Sequence, residues 1–169
     1  MMNSFENNLK VEDAFNQLLD KDIWIKHEGK EAQHNIGDFY NVVLGKNFDF
    51  KIDCYDNDNN IVIEENQKSG TNWIDELDDS TFIAYVKINS GECFCWSVKQ
   101  LKDFRKSKVY KNRKSFTAWS ETSFKNIKLS EMPLYFMLKF DTTLLKSYLK
   151  KDMLGNAKYE NVYERVIVD

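Results

Sequence analysis

Apolar residues recur at helical spacing near the start of the chain. Val11, Ala14, Phe15, Leu18 and Leu19 fall three or four positions apart, which predicts an amphipathic helix over residues 8–20 with one apolar stripe. After the polar Asp20-Lys21-Asp22, the residues Ile23, Trp24 and Ile25 form a short apolar burst, and 27–35 is polar enough to read as a loop. The pattern then changes period. Residues 39–44 (FYNVVL) read as a strand closed by a turn at Gly45-Lys46-Asn47. Residues 48–55 (FDFKIDCY) alternate: Phe48, Phe50, Ile52 and Cys54 share one face, and Asp49, Lys51, Asp53 and Tyr55 the other. Asp56 to Asn60 (DNDNN) predicts a hairpin loop, because Asp and Asn tolerate left-handed backbone and bond their own main chain. Residues 61–68 (IVIEENQK) are then the partner strand.

A second hairpin is expected from 81–89 (TFIAYVKIN) and 92–98 (ECFCWSV) around Ser90-Gly91, followed by a helix with Val98, Leu101 and Phe104 or Arg105 along its stripe. Residues 106–131 are polar and read as irregular, 134–140 as a strand or buried helix, and Asp141 with Thr142 and Thr143 as the cap of a last helix carrying Leu144, Leu145, Tyr148 and Leu149. Helix, several strands, helix and a mixed tail imply an α/β or α+β fold on a central mixed, mainly antiparallel sheet flanked by helices.

Length and composition narrow the class. A chain of 169 residues with 42% apolar and 30% charged residues fits one globular domain. No long apolar run predicts a membrane span, MMNSFENNLK lacks an apolar signal core, and three Cys form no disulfide framework, so a reducing cytoplasm is expected. Abundant Asn and Lys, with AT-rich codons, point to a low-GC bacterium or its phage. The net charge of −3 is unevenly placed. Nine acids against Lys68 give −8 over 53–79, while seven bases (Lys102, Arg105, Lys106, Lys108, Lys111, Arg113 and Lys114) against Asp103 give +6 over 102–114. The basic stretch, interleaved with Phe104 and Tyr110, suits phosphate contacts with an aromatic ring stacked on a base.

The informative pair is FDFKID and IVIEENQK. Asp49 lies on the polar face of the first, and Glu65 and Gln67 share a face of the second. Two carboxylates on adjacent strands can hold Mg²⁺ or Mn²⁺, hard cations that take oxygen ligands and retain waters. A neighbouring polar or cationic side chain would orient the attacking water. Glu12, on the first helix, could support a second metal or a water.

Other candidates carry less. Cys93 and Cys95 share a strand face and read as core; His27 and His34 read as surface. Asp56-x-Asp58-x-Asn60 fails as a calcium loop, because Ile61 stands at the glycine position.

These segments, with GDFYNVVLGKNFDFKID, NIVIEENQKSGTNWID, STFIAYVKIN and VKQLKDF, resemble the PD-(D/E)XK nuclease superfamily, whose pattern is an acid, a variable hairpin, then an acid, any residue and a lysine. The resemblance spans roughly residues 8–106, which implies a single domain over 1–169 with its core over about 8–106 and a C-terminal extension over 107–169. It implies a restriction-endonuclease-like fold and a Mg²⁺-dependent endonuclease acting on DNA. Asp49 and Glu65, or Glu64 as the alternative, would bind metal; Gln67 or Lys68 would orient the water, and Glu12 would assist. Phe48 stands where a Pro is expected, and the lysine position holds Gln67 or Asn66 according to which Glu is aligned. Lys68 is one residue too far along, unless a β-bulge re-aims it. The same resemblance admits an inactive nuclease fold that binds a host protein or nucleic acid, for example in counter-defence. A homodimer is left open.

Overall fold

In the computed structural model, residues 4–53, 59–66, 72–118, 122–143 and 145 are described. The chain is α+β. Its elements are α1 (Ser4–Leu18), β1 (Trp24–Lys26), α2 (Lys30–Ile36), β2 (Phe39–Asn41), β3 (Lys46–Asp53), β4 (Asn60–Asn66) and α3 (Trp73–Glu76). They continue with β5 (Phe82–Lys87), β6 (Glu92–Ser97), α4 (Val98–Arg105), α5 (Lys108–Asn112), β7 (Ser115–Ala118), β8 (Thr122–Lys128), a 3₁₀ turn (Leu129–Glu131) and β9 (Phe136–Lys139).

A six-stranded sheet runs β1-β2-β3-β5-β6-β9, and a second sheet runs β4-β8-β7. Every neighbouring pair is antiparallel except β3 and β5, which run parallel with Asp49 opposite Ile83 and Lys51 opposite Tyr85. The expected hairpin between residues 48–55 and 61–68 is therefore not formed. β4 leaves the large sheet and pairs with β8, more than sixty positions away at its far end, where Asn60 faces Lys128. Residues 54–58, at the centre of the expected loop, lie outside those described.

The large sheet is covered on both faces, so its strands bury both sets of side chains. On one face Val11, Ala14, Phe15 and Leu19 of the first helical region pack on Phe48, Phe50, Ala84, Val86, Cys93 and Cys95. Phe15 meets Phe50 edge-on with ring centroids 5.3 Å apart, a geometry that aligns a ring edge with a ring face. On the other face Ile83, Tyr85, Phe94 and Trp96 pack with Ile61 and Ile63 of β4, Ile127 of β8, and Val98, Leu101 and Phe104 of α4. The second sheet is pinned to the first by polar bonds: Val62 N donates to Tyr85 Oη at 3.2 Å, and Lys87 Nζ to Asn60 O at 2.8 Å. α4 is closed by a capping box between Ser97 and Gln100.

Several sequence expectations change. Residues 39–44 do not continue as a strand, because Asn41 Oδ1 accepts from Val43 N and Leu44 N, turning the chain and leaving Val42, Val43 and Leu44 exposed. α2 forms where a loop is expected; none of its residues is buried, so it has no apolar stripe to read. Within 106–131 the chain forms α5, β7 and β8. Cys93 and Cys95 are core residues, Sγ to Sγ 3.8 Å, as the shared strand face implies. The expected last helix lies largely outside the described residues, which include only Leu145 of its apolar set. Among the described residues no helix is long and apolar enough to cross a membrane.

Candidate functional site

β3 supplies the centre of the site. Its alternation sends Phe48, Phe50 and Ile52 into one apolar layer and leaves Asp49, Lys51 and Asp53 on the opposite side. Lys51 Nζ stands 3.1 Å from Asp49 Oδ2. Asp49 is buried, with its Oδ2 turned to that ammonium.

Asp38 joins them from the turn before β2. Its N–H donates to Phe48 O at 2.8 Å, and its Oδ2 accepts from Phe50 N at 3.4 Å, so it is held against β3 by main-chain bonds at both ends. Gly37 makes this approach possible. Its φ is +97°, and a Cβ there would lie 2.7 Å from Phe48 O, so neither the conformation nor the space admits a side chain. Glu12, on the half-buried flank of α1, completes the group.

These four residues form one electrostatic unit. Burial, and then the Asp49 charge, push the Asp38 carboxyl up to about 7; Lys51 opposes the rise and Glu12 adds to it. Burial likewise raises Glu12, Lys51 counteracts it, and Asp49 adds to it. For Lys51, burial acts to lower the ammonium's pKa, but Asp49, and then Asp38 and Glu12, outweigh it and the net direction is upward. Lys51 is thus held as a cation facing three carboxylates. On its other side the ammonium lies 4.1 Å from the centre of the Trp73 ring.

Of this cluster, Asp49 and Glu12 are among the residues expected from sequence, and Asp38 and Lys51 are not. The readable signal was Gly37-Asp38 before the strand together with Asp49-Phe50-Lys51 within it. Taking the hairpin to lie after β3 hid it, since the hairpin actually formed is β2–β3.

The other expected residues fall elsewhere. Glu64 and Glu65 lie on β4, and β3 is flanked by β2 and β5, so these acids do not sit on a strand next to Asp49. Glu65 accepts from Ser115 Oγ and lies 3.9 Å from Lys125 Nζ, tying β4 to β7 and β8. A register shift does occur, between Glu64 and Asn66. Gln67 and Lys68 lie outside the described residues.

Much of the basic stretch is neutralised locally. Lys102 pairs with Asp79 at 2.7 Å, Arg105 with Asp75, and Arg113 with Glu131. The acidic and basic segments read from sequence are therefore partly folded against each other. Lys106, Lys108, Lys111 and Lys114 are exposed. The two histidines are apart in role: His27 Nε2 meets Asn47 Oδ1 at 2.8 Å, and His34 Nδ1 lies 3.3 Å from Glu76 Oε2.

Among the described residues no three His, Cys, Asp or Glu side chains stand close enough to enclose a metal ion. Two carboxylates suffice for Mg²⁺, which keeps several waters and takes one or two protein ligands. The buried Asp49 carboxylate, its Oδ2 facing the Lys51 ammonium, lies beside an Asp38 whose ionisation is opposed by burial and by Asp49 itself, and the two supply the acidic oxygens that a hard cation takes. Compared with family models, with curated proteins and with solved structures, the chain matches none.

Proposed function

We propose that the chain is a metal-dependent nuclease of the PD-(D/E)XK kind, hydrolysing DNA phosphodiester bonds at Asp38, Asp49 and Lys51. The observation that carries this reading is the convergence of Asp38 on Asp49 and Lys51 of one strand, with Glu12 beside them. The order Asp38, hairpin, Asp49-Phe50-Lys51 supplies an acid, an acid, any residue and a lysine, so in this reading the lysine position is filled by Lys51 and not by Gln67.

Asp38 and Asp49 would hold Mg²⁺ or Mn²⁺ through carboxylate oxygens. The bound cation supplies Lewis acidity at the phosphate and a water of lowered pKa. Lys51, kept protonated by its three carboxylate neighbours, donates to the reacting phosphate or the attacking water and offsets developing negative charge. Glu12, raised by burial, would serve as the group that exchanges a proton with the attacking water. Lys106, Lys108, Lys111 and Lys114 contact the DNA backbone, while Lys102, Arg105 and Arg113 serve mainly to brace the fold through their acid partners.

The test is cleavage of plasmid and single-stranded DNA with Mg²⁺ or Mn²⁺, with Asp49→Ala alongside. The reading expects cleavage that the variant loses while keeping its circular dichroism spectrum. A second reading, a nuclease fold that binds a host protein or nucleic acid without cutting, is favoured by the direct ion pair of Lys51 on Asp49. Folded wild-type protein that cleaves with neither metal would select it.

A further inference from the structure

The geometry points to Trp73 as the positioning residue for Lys51: its indole face and the Asp49 carboxylate together fix the direction of the Lys51 ammonium in the proposed site. This rests on the nuclease reading for its catalytic consequence, but its geometric content stands alone. Lys51 Nζ lies 4.1 Å from the Trp73 ring centre and 3.1 Å from Asp49 Oδ2. A lysine has a flexible four-carbon stem, and the Lys51 side chain is 41% exposed, so strand placement alone leaves its tip free to swing. An indole face is the strongest aromatic partner for an ammonium and attracts it without consuming its N–H donors. The donors not used on Asp49 therefore remain available to a substrate oxygen.

The ring itself is anchored. Trp73 opens α3, whose start is fixed by the buried Asn72: its Oδ1 accepts from Ile74 N at 3.0 Å, and its Nδ2 donates to Glu65 O. Ile74, next in sequence, is wholly buried between the sheets. Trp73 Nε1 is buried and has no hydrogen-bond partner among the described residues, so no polar bond of the indole edge accounts for the ring's placement. Lys51 and Trp73 also border a cavity of about 30 Å³ lined by Ile61, Ile63 and Ile74. Glu65, expected from sequence to bind metal, thereby has a different part, since its main-chain oxygen holds the cap that sets Trp73.

The experiment compares wild type, Trp73→Phe, which keeps an aromatic face, and Trp73→Met, which keeps apolar bulk without one. In NMR spectra of the full chain, ring current should shift the Lys51 Cε protons upfield in wild type. The shift should persist in reduced form in Trp73→Phe and vanish in Trp73→Met. In DNA cleavage with Mg²⁺, Trp73→Met should lower kcat about tenfold with KM little changed, and Trp73→Phe should recover most of the rate. Lys51 resonances that are unshifted in wild type, or unchanged in both variants, overturn the positioning role whether or not the protein cleaves DNA. A shift that behaves as expected in a protein inactive with either metal upholds the clamp and overturns the nuclease reading. Equal cleavage by all three proteins overturns the catalytic part of the inference.

Discussion

Removing one charge from the acidic group should stabilise the metal-free protein, and the effect should depend on pH. Burial, then Asp49, with a further contribution from Glu12, carry the Asp38 carboxyl from its ordinary 3.8 to about 7, against the pull of Lys51 and the Phe50 N–H. The folded chain thus holds this proton more tightly than the unfolded chain. The associated stability is fully present below about pH 4 and is lost as the pH rises to about 7. Taken whole, such a displacement corresponds to about 4 kcal/mol. Because the charge is shared with Glu12, Asp49 and Lys51, about 1–3 kcal/mol of it should appear on changing Asp38 alone. Asp38→Asn keeps a side-chain oxygen for the Phe50 N–H and loses the charge. In urea denaturation with EDTA, the variant should be more stable than wild type by that margin at about pH 8.5, and the gap should close towards about pH 4. Mg²⁺ at the higher pH should raise wild type more than the variant, because a ligand that binds only the folded state stabilises it. Equal stabilities at both pH values, or a less stable variant at the higher one, would show that Lys51 holds Asp38 ionised and would refute the reasoning.

Three further outcomes follow from particular contacts. Gly37→Ala should cost at least about 2 kcal/mol in urea denaturation, since it sets a Cβ against Phe48 O in a left-handed backbone, and it should weaken Mn²⁺ binding by displacing Asp38. Asp53→Ala should cost about 1–3 kcal/mol and lower the Tm, because it removes the buried acceptor of Tyr85 Oη at 3.0 Å and of Lys87 Nζ at 3.4 Å, while Lys87 keeps its bond to Asn60 O. In DNA binding against salt, alanine at Lys106, Lys108, Lys111 or Lys114 should each reduce the slope by up to about one, whereas Lys102→Ala should leave it nearly unchanged.

What the sequence disclosed depended on how local the determinant was. The stripe Val11, Ala14, Phe15 and Leu19 and the alternation of Phe48 and Phe50 are set by neighbours in the chain and are buried as their spacing implies, whereas Leu18, expected in the same stripe, is exposed at the end of α1. The α4 stripe of Val98, Leu101 and Phe104 is likewise buried. The partner of a strand is a different matter. Asp56 to Asn60 has the composition of a hairpin loop, yet β4 finds β8, because Ile61, Ile63 and Ile127 bury together on the second face of the large sheet. That pairing has no local signature, and β8 itself (TSFKNIK) is too polar to announce a buried strand. Misplacing the hairpin also hid the cluster around Asp49. Asp49 and Glu12 were legible as acids on the expected elements; Asp38 was passed over because it lies outside any strand, in the turn before β2, and Lys51 because it looked like solvated alternation.

One assay distinguishes a site on β3 from one on β4: Mg²⁺- or Mn²⁺-dependent cleavage of DNA by wild type, Asp38→Asn, Lys51→Met and Glu65→Gln, each shown to be folded. Wild type and Glu65→Gln should cleave, while Asp38→Asn and Lys51→Met should fall by at least about a hundredfold. Cleavage that survives loss of Asp38 and Lys51 but not of Glu65 would contradict this and return the site to β4.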